Sequence, residues 1–243
     1  MKDIAFLKDK LIAHRGYFDA SLGIPENSLP AFETAIKFNY AIELDIHILK
    51  DNTIVVFHDD NLKRMTGVDK SIKDFNYAEL KKLNLLGTKE KIPTLEQVLK
   101  LVDGQVPLLI EFKSDGNLKL LGKEAMKLLR NYNGKYAIQS FHPACVNYFR
   151  RHHPAVPRGQ LSYNYKNDKI PYLGKLILRN MFFNFITKPD FISYDIRNCN
   201  RNKILKWKQK RVVLGWTVRT KEQYEDNKGL FDNLICENMQ NYI

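Results

Sequence analysis

Acids and histidines interrupt or terminate apolar runs at four places in this chain, and those interruptions are where chemistry could occur. In Ala41-Ile42-Glu43-Leu44-Asp45-Ile46-His47-Ile48 the alternation is strict over eight residues. This is the pattern of a β-strand with Ile42, Leu44, Ile46 and Ile48 on one face and Glu43, Asp45 and His47 on the other. Successive positions on one face lie about 6–7 Å apart, so two ionised carboxylates there repel by roughly 2–3 kcal/mol at an effective dielectric near 20. A cation between them removes that repulsion, and magnesium or calcium suits carboxylate oxygens better than zinc does. Taken alone, the segment also fits a half-exposed strand with a solvated acidic face.

The other three interruptions bear on that choice. Leu11-Ile12-Ala13 runs directly into His14-Arg15-Gly16, which puts a proton carrier and a guanidinium fork suited to phosphate at one strand end. Ile54-Val55-Val56-Phe57 ends in His58-Asp59-Asp60, and two histidines at the ends of neighbouring strands resemble an acid–base pair. In Pro107-Leu108-Leu109-Ile110-Glu111-Phe112-Lys113 a third carboxylate shares a strand face with a lysine. Glu43, Asp45 and Glu111 together could cage a metal; a strand-end salt bridge between Lys113 and an acid is the plainer alternative. In Pro25-Glu26-Asn27-Ser28-Leu29-Pro30, Asn27 or Ser28 reads as a helix cap with proline in the first turn.

The elements that must position these residues follow from periodicity. Strand patterns begin at Leu11, Ala41, Pro107, Tyr136, Arg158, Phe191, Val212 and Asn233, each but the last followed by a helical segment. Eight such units predict an α/β protein of the (β/α)8 TIM-barrel type, in which chemistry is done at the C-terminal ends of the strands. Ile54–Phe57 is then an added strand that pairs locally, and residues 59–92 form a small insertion after the second strand. Length and pattern are read as one domain over residues 1–243.

With 44% hydrophobic residues, a folded globular chain and not disorder is the expectation. The charged N-terminus lacks the apolar core of a signal peptide and no run is long enough to span a bilayer, so a cytoplasmic protein is expected. Cys145, Cys199 and Cys236 have no metal-type spacing and read as reduced packing residues. The formal charge of +12 favours anionic partners. Nucleic acid is not expected, because the clusters Arg150-Arg151-His152-His153 and Lys206–Arg211 lie on predicted helices whose solvated outer faces explain them. Residues 173–186 carry more apolar side chains than one core-facing stripe needs, with Lys175, Arg179 and Lys188 among or beside them. They fit either an ordinary barrel helix with a buried loop or an element that touches anionic membrane, at the inner face of the bilayer. No protein partner can be inferred.

Taken in order, His14-Arg15-Gly16, Pro25-Glu26-Asn27-Ser28, Glu43-Leu44-Asp45, Lys50-Asp51, Val56-Phe57-His58-Asp59, Leu62-Lys63-Arg64-Met65-Thr66-Gly67, Ile92-Pro93-Thr94-Leu95-Glu96, Glu111-Phe112-Lys113 and Trp216-Thr217-Val218 resemble the glycerophosphodiester phosphodiesterase family, which belongs with the phosphatidylinositol-phospholipase-C-like barrels. The resemblance spans nearly the whole chain. It implies a phosphoric diester hydrolase in which Glu43, Asp45 and Glu111 hold one divalent cation, magnesium or calcium, and His14 and His58 act as general acid and base. It implies phosphate contacts from Arg15 and Lys113, and a cyclic phosphate that water opens to glycerol 3-phosphate. Trp216 reads either as an apolar wall for glycerol carbons or as a core aromatic. Three departures stand on the far rim: His142, Arg219 and Glu237 occupy positions where the family commonly has aspartate, asparagine and aspartate. Two other readings are a lysophospholipase D using the same residues at membranes, and a catalytically silent barrel that binds anionic lipid.

Overall fold

The computed structural model describes residues 2–113, 117–197 and 199–241. Strands and helices alternate as a (β/α)8 barrel requires, with one added strand outside the ring. The strands are β1 (Ile12–Ala13), β2 (Ala41–Ile48), β3 (Ile54–Val56), β4 (Leu108–Phe112), β5 (Tyr136–Ser140), β6 (Arg158–Ser162), β7 (Phe191–Asp195), β8 (Val212–Val218) and β9 (Asn233–Cys236). The chain clusters into two compact units, Ala13–Tyr136 and the combination of Met1–Ile12 with Ala137–Ile243.

In the first unit β2 is the central strand. It pairs parallel with β4, Asp45 opposite Glu111, and antiparallel with β3. Both faces of β2 are buried from Ala41 to His47, so its acidic face has little water to screen it. The helix Leu29–Lys37 starts at Ser28, whose hydroxyl accepts from the Ala31 N–H and whose own proton goes to the Pro25 carbonyl. The helix Leu95–Val102 opens on a capping box between Thr94 and Gln97 and buries Leu95, Val98, Leu99 and Val102. That i, i+3, i+4, i+7 stripe is one face of a 3.6-residue period.

The insertion has its own apolar centre. Leu62, Met65, Ile72, Leu80 and Leu85 pack on Leu49, Val55 and Phe57. Its helices are single turns, Lys63–Thr66 and Tyr77–Leu80. The pattern from Tyr77 predicts helix as far as Leu86, but the segment turns instead: Leu86 adopts a φ of 49° and its N–H binds the Met65 carbonyl.

In the second unit β5 to β9 pair parallel in chain order. Gly159 on β6 lies opposite Phe191 on β7, and a Cβ there would meet the Phe191 ring at 2.2 Å, so only glycine lets that ring pack. The Asn233 amide donates to the Leu7 and Lys10 carbonyls, fixing the N-terminal segment to β9. Residues 172–187 form two short helices, Tyr172–Arg179 and Asn184–Thr187, with a turn between them. The basic side chains Arg151, His152, Lys206 and Lys210 are exposed. Among the described residues no helix is long and apolar enough to cross a membrane.

Candidate active site

The first unit brings together every candidate residue except Trp216. Just past β1, Arg15 holds a φ of 57° and Gly16 one of 79°. A left-handed conformation costs a non-glycine residue about 1–3 kcal/mol. Here it turns the Arg15 N–H onto Glu43 Oε2 at 3.2 Å. At Gly16 a Cβ would lie 2.9 Å from the Phe32 ring and 3.0 Å from the Ala31 backbone, so the turn has no room for a side chain. His14 is nearly buried, with Nε2 3.9 Å from Glu43 Oε2.

Glu43, Asp45 and Glu111 are all buried, and each offers an oxygen within 4.8 Å of the others. Burial, then the charges of Asp45 and Glu111, push the Glu43 carboxyl well above its ordinary value. Glu111 is also raised, by burial and Asp45 against the pull of Lys113. Burial would raise Asp45 too, but Lys113, His58, Arg15 and His14 outweigh it and hold this carboxyl far below the usual range. The Lys113 ammonium lies 2.8 Å from Asp45 Oδ1 and 2.6 Å from Glu111 Oε1. Burial opposes its charge, yet these two acids hold its pKa above the ordinary lysine value. The strand-end salt bridge therefore exists inside the acid cluster, as the plainer reading of Lys113 predicts.

Three buried carboxylates with hard oxygen donors and the buried Asn27 Oδ1 without a hydrogen-bond partner make a donor set that fits a magnesium- or calcium-type cation. Asn27 itself has a φ of 53° and donates its amide to Asp45 Oδ2 at 2.9 Å. Of the two caps that the sequence offers, Asn27 and Ser28, the helix uses Ser28.

His58 is held from two sides. Its Nδ1 lies 2.6 Å from Asp59 Oδ1, and its carbonyl is 3.3 Å from Nε2 of the buried His47. Burial lowers the His58 pKa; Asp45 and Asp59 resist this, while Lys113 and Arg15 add to it. Arg64, from the insertion, binds both Asp59 oxygens at 2.6 and 3.0 Å and both Glu26 oxygens at 2.9 and 2.7 Å. Glu26 in turn accepts from Arg15 Nη1 at 2.7 Å. Arg15 Nε stands 3.6 Å from Asp45 Oδ2 without a hydrogen bond. The acids Asp45, Glu26 and Glu43 raise the Arg15 guanidinium against its own desolvation. Arg64 and Glu26 stand in the ordered motifs, but nothing local marks their task, because the two side chains that meet lie 38 residues apart in the chain.

In the second unit Trp216 packs edge-on against Phe141 at 5.5 Å and Tyr163 at 6.4 Å. Phe141 and Tyr163 are also perpendicular, at 5.8 Å. The Trp216 indole N–H is buried without a partner. Two of the rim departures answer each other: Arg219 Nε donates to Glu237 Oε2 at 2.8 Å. The third, His142, caps the helix Pro143–His152 by accepting from the Ala144 N–H.

Comparison with known proteins adds to this geometry. The chain is 32% identical to YhdW of Bacillus subtilis over 222 residues, 87% of each chain. It is 28% identical to the glycerophosphodiester phosphodiesterase of Caldanaerobacter subterraneus subsp. tengcongensis, covering 98% of this chain and 97% of that one. Human lysophospholipase D GDPD1 is 36% identical over 140 residues, 52% of this chain and 43% of its own length. The fold of this chain matches that of an Oleispira antarctica phosphodiesterase solved with the product sn-glycerol-3-phosphate, at a TM-score of 0.80 and 20% identity over 95% of this chain and 93% of that one. The family model of the glycerophosphoryl diester phosphodiesterases matches residues 14–239, a span that includes both histidines, all three acids of the cluster and Trp216. The chain therefore belongs to the glycerophosphoryl diester phosphodiesterase family of phosphoric diester hydrolases.

Proposed function

We propose that this protein hydrolyses glycerophosphodiesters to glycerol 3-phosphate and an alcohol, with a divalent cation held by Glu43, Asp45 and Glu111. The observation that carries the reading is the buried carboxylate trio, with oxygens within 4.8 Å, flanked by two histidines and two cationic side chains. When bound, magnesium or calcium acidifies an attacking hydroxyl and offsets phosphoryl charge. Arg15 Nε, buried without a hydrogen bond, and the Lys113 ammonium supply donors for the phosphate oxygens. One of His14 and His58 takes the proton of the glycerol 2-hydroxyl as its oxygen attacks phosphorus; the other gives a proton to the departing alkoxide. The product of this step is a five-membered cyclic phosphate. In the second step the histidine that lost its proton takes one from water, whose oxygen attacks phosphorus, and the histidine that gained a proton returns it to the 2-oxygen.

For Trp216 the family resemblance supports the role of an apolar wall for glycerol carbons, and its packing against Phe141 and Tyr163 gives the ring a fixed orientation within its own unit. Cytoplasmic residence accords with the free thiols of Cys145, Cys199 and Cys236. A second reading, lysophospholipase D activity on lipid-bearing diesters, is favoured by one feature: Phe182, Phe183, Phe185 and Ile186 are exposed.

The test is glycerol 3-phosphate release from glycerophosphocholine and glycerophosphoethanolamine, with and without EDTA, in the wild type and in His14→Ala. Release abolished by chelator and by the substitution supports the assignment. No release with magnesium, calcium or manganese, while lysophosphatidylcholine is cleaved, moves the activity to the second reading. Failure on both substrate types leaves a silent lipid-binding barrel.

A further inference from the structure

We infer that residues 169–188 form a platform that docks the protein on anionic lipid bilayers. Six of the ten large apolar side chains exposed among the described residues fall within this short stretch: Tyr172, Leu173, Phe182, Phe183, Phe185 and Ile186. Phe185 is 75% exposed, Tyr172 73% and Leu173 65%. The helix Tyr172–Arg179 has eight residues and buries none of them. A barrel helix packed on its strand buries a stripe, as Leu95–Val102 does, so this one is not serving the core in that way.

The segment is nonetheless held in place. Met181 and Thr187 are buried, and the Ser162 hydroxyl donates to the Leu178 carbonyl at 3.0 Å. Ser162 is the last residue of β6, so the anchor stands at the C-terminal strand end, where barrels of this type act on substrate.

Charge selects the occupant. From Lys169 to Lys188 there are four cations, Lys169, Lys175, Arg179 and Lys188, and no acid. Among the described residues none of the four is paired with a carboxylate. A second copy of this chain would set those cations against their own likenesses or require an acidic counterpart. A bilayer surface rich in anionic headgroups satisfies them together, while aromatic and aliphatic side chains enter the headgroup–acyl boundary and lysine stems reach back to the phosphates. The chain's net charge of +12 acts in the same sense at longer range.

This docking is independent of which diester the enzyme cuts, and it is tested without turnover. The wild type is sedimented with vesicles of phosphatidylglycerol and phosphatidylcholine in roughly equal parts, and with vesicles of phosphatidylcholine alone. The same is done for Phe182→Ser/Phe185→Ser and for Lys175→Glu/Arg179→Glu. Expected are association with the anionic vesicles only and a partition coefficient reduced about tenfold or more in each double variant. Unchanged thermal unfolding of both variants shows that the fold is intact. Wild type that stays in the supernatant, or variants that bind as the wild type does, overturns the proposal. So does a wild-type dimer on size exclusion that becomes monomeric in the phenylalanine variant, because the face would then belong to a second copy.

Discussion

His58 shows how one side chain acquires its properties from neighbours that sequence places far away. Burial lowers its pKa from the ordinary 6.5, and the nearby cations Lys113 and Arg15 add to the effect against Asp45 and Asp59. An unfolded chain therefore binds the proton more readily than the native one. Between the two values stability rises with pH; this contribution is fully present above 6.5 and is lost as pH falls through the folded value. The same shift sets activity. The His58 inflection in the kcat/KM profile is expected below 6.5, on the rising limb if His58 is the base and on the falling limb if it is the acid. Asp59→Asn removes the carboxylate that sits 2.6 Å from Nδ1 and should move that inflection further down while lowering kcat about tenfold or more. An inflection above 6.5 that disappears in His58→Ala would contradict this. The histidines and acids were legible because each interrupts an apolar run. Asn27 was not, since its amide's partner Asp45 lies 18 residues on and its left-handed backbone leaves no mark in residue type.

At the scale of elements, β2 and the insertion are the instructive pair. The period-two alternation of Ala41–Ile48 and the apolar stripe of Leu95–Val102 are local signals, and each lies on the element that its period describes. The insertion was legible as an interruption with a helical pattern from Tyr77, of which only one turn forms, because its helices are single turns stabilised by a small apolar centre of their own rather than by period. Its contribution to the site is Arg64, which clamps Asp59 and Glu26 with four hydrogen bonds. Burial opposes the charge of both acids, but Arg64, joined by Arg15 at Glu26 and by His58 at Asp59, outweighs it and holds each below its usual pKa. Arg64 is half exposed, so its truncation costs little fold stability, about 1 kcal/mol or less. Its effect falls on position: Arg64→Ala releases Asp59 from one side and Glu26 from the other, and the orientations of His58 and Arg15 loosen together. The expected result is kcat lowered about tenfold to a hundredfold with KM changed far less, and no rescue by Arg64→Lys, which cannot form the planar fork. A full rescue by lysine would show that only charge matters there. The apolar excess of residues 173–186 was also legible, but the break into two helices with six exposed large side chains was not, because periodicity carries no information on which face finds a neighbour.

For the molecule as a whole, the acid cluster couples cation binding to folding. The cluster lies within one compact unit, on β2 and β4, and the unfolded chain has no such arrangement, so a bound cation stabilises the native state by mass action. At a concentration one hundred times the dissociation constant that amounts to about 2.7 kcal/mol. For a chain of 243 residues this corresponds to a rise in Tm of roughly 5–11 °C. Glu111→Gln removes one charged donor, and the rise should shrink or vanish. Lys113→Met acts in the opposite direction. It leaves Asp45 and Glu111 without the ammonium that lies 2.8 and 2.6 Å from them. Removing one partner of a buried ion pair typically costs about 3–5 kcal/mol, so in EDTA this variant should unfold well below the wild type. Added magnesium or calcium then supplies the missing positive charge, and the rise in Tm should exceed that of the wild type. Calorimetry of the three proteins with EDTA and with each cation reads all of these quantities. Equal rises in Lys113→Met and wild type would mean that the lysine and the cation do not answer the same charges, and no rise in either would make the trio a salt-bridged structural cluster.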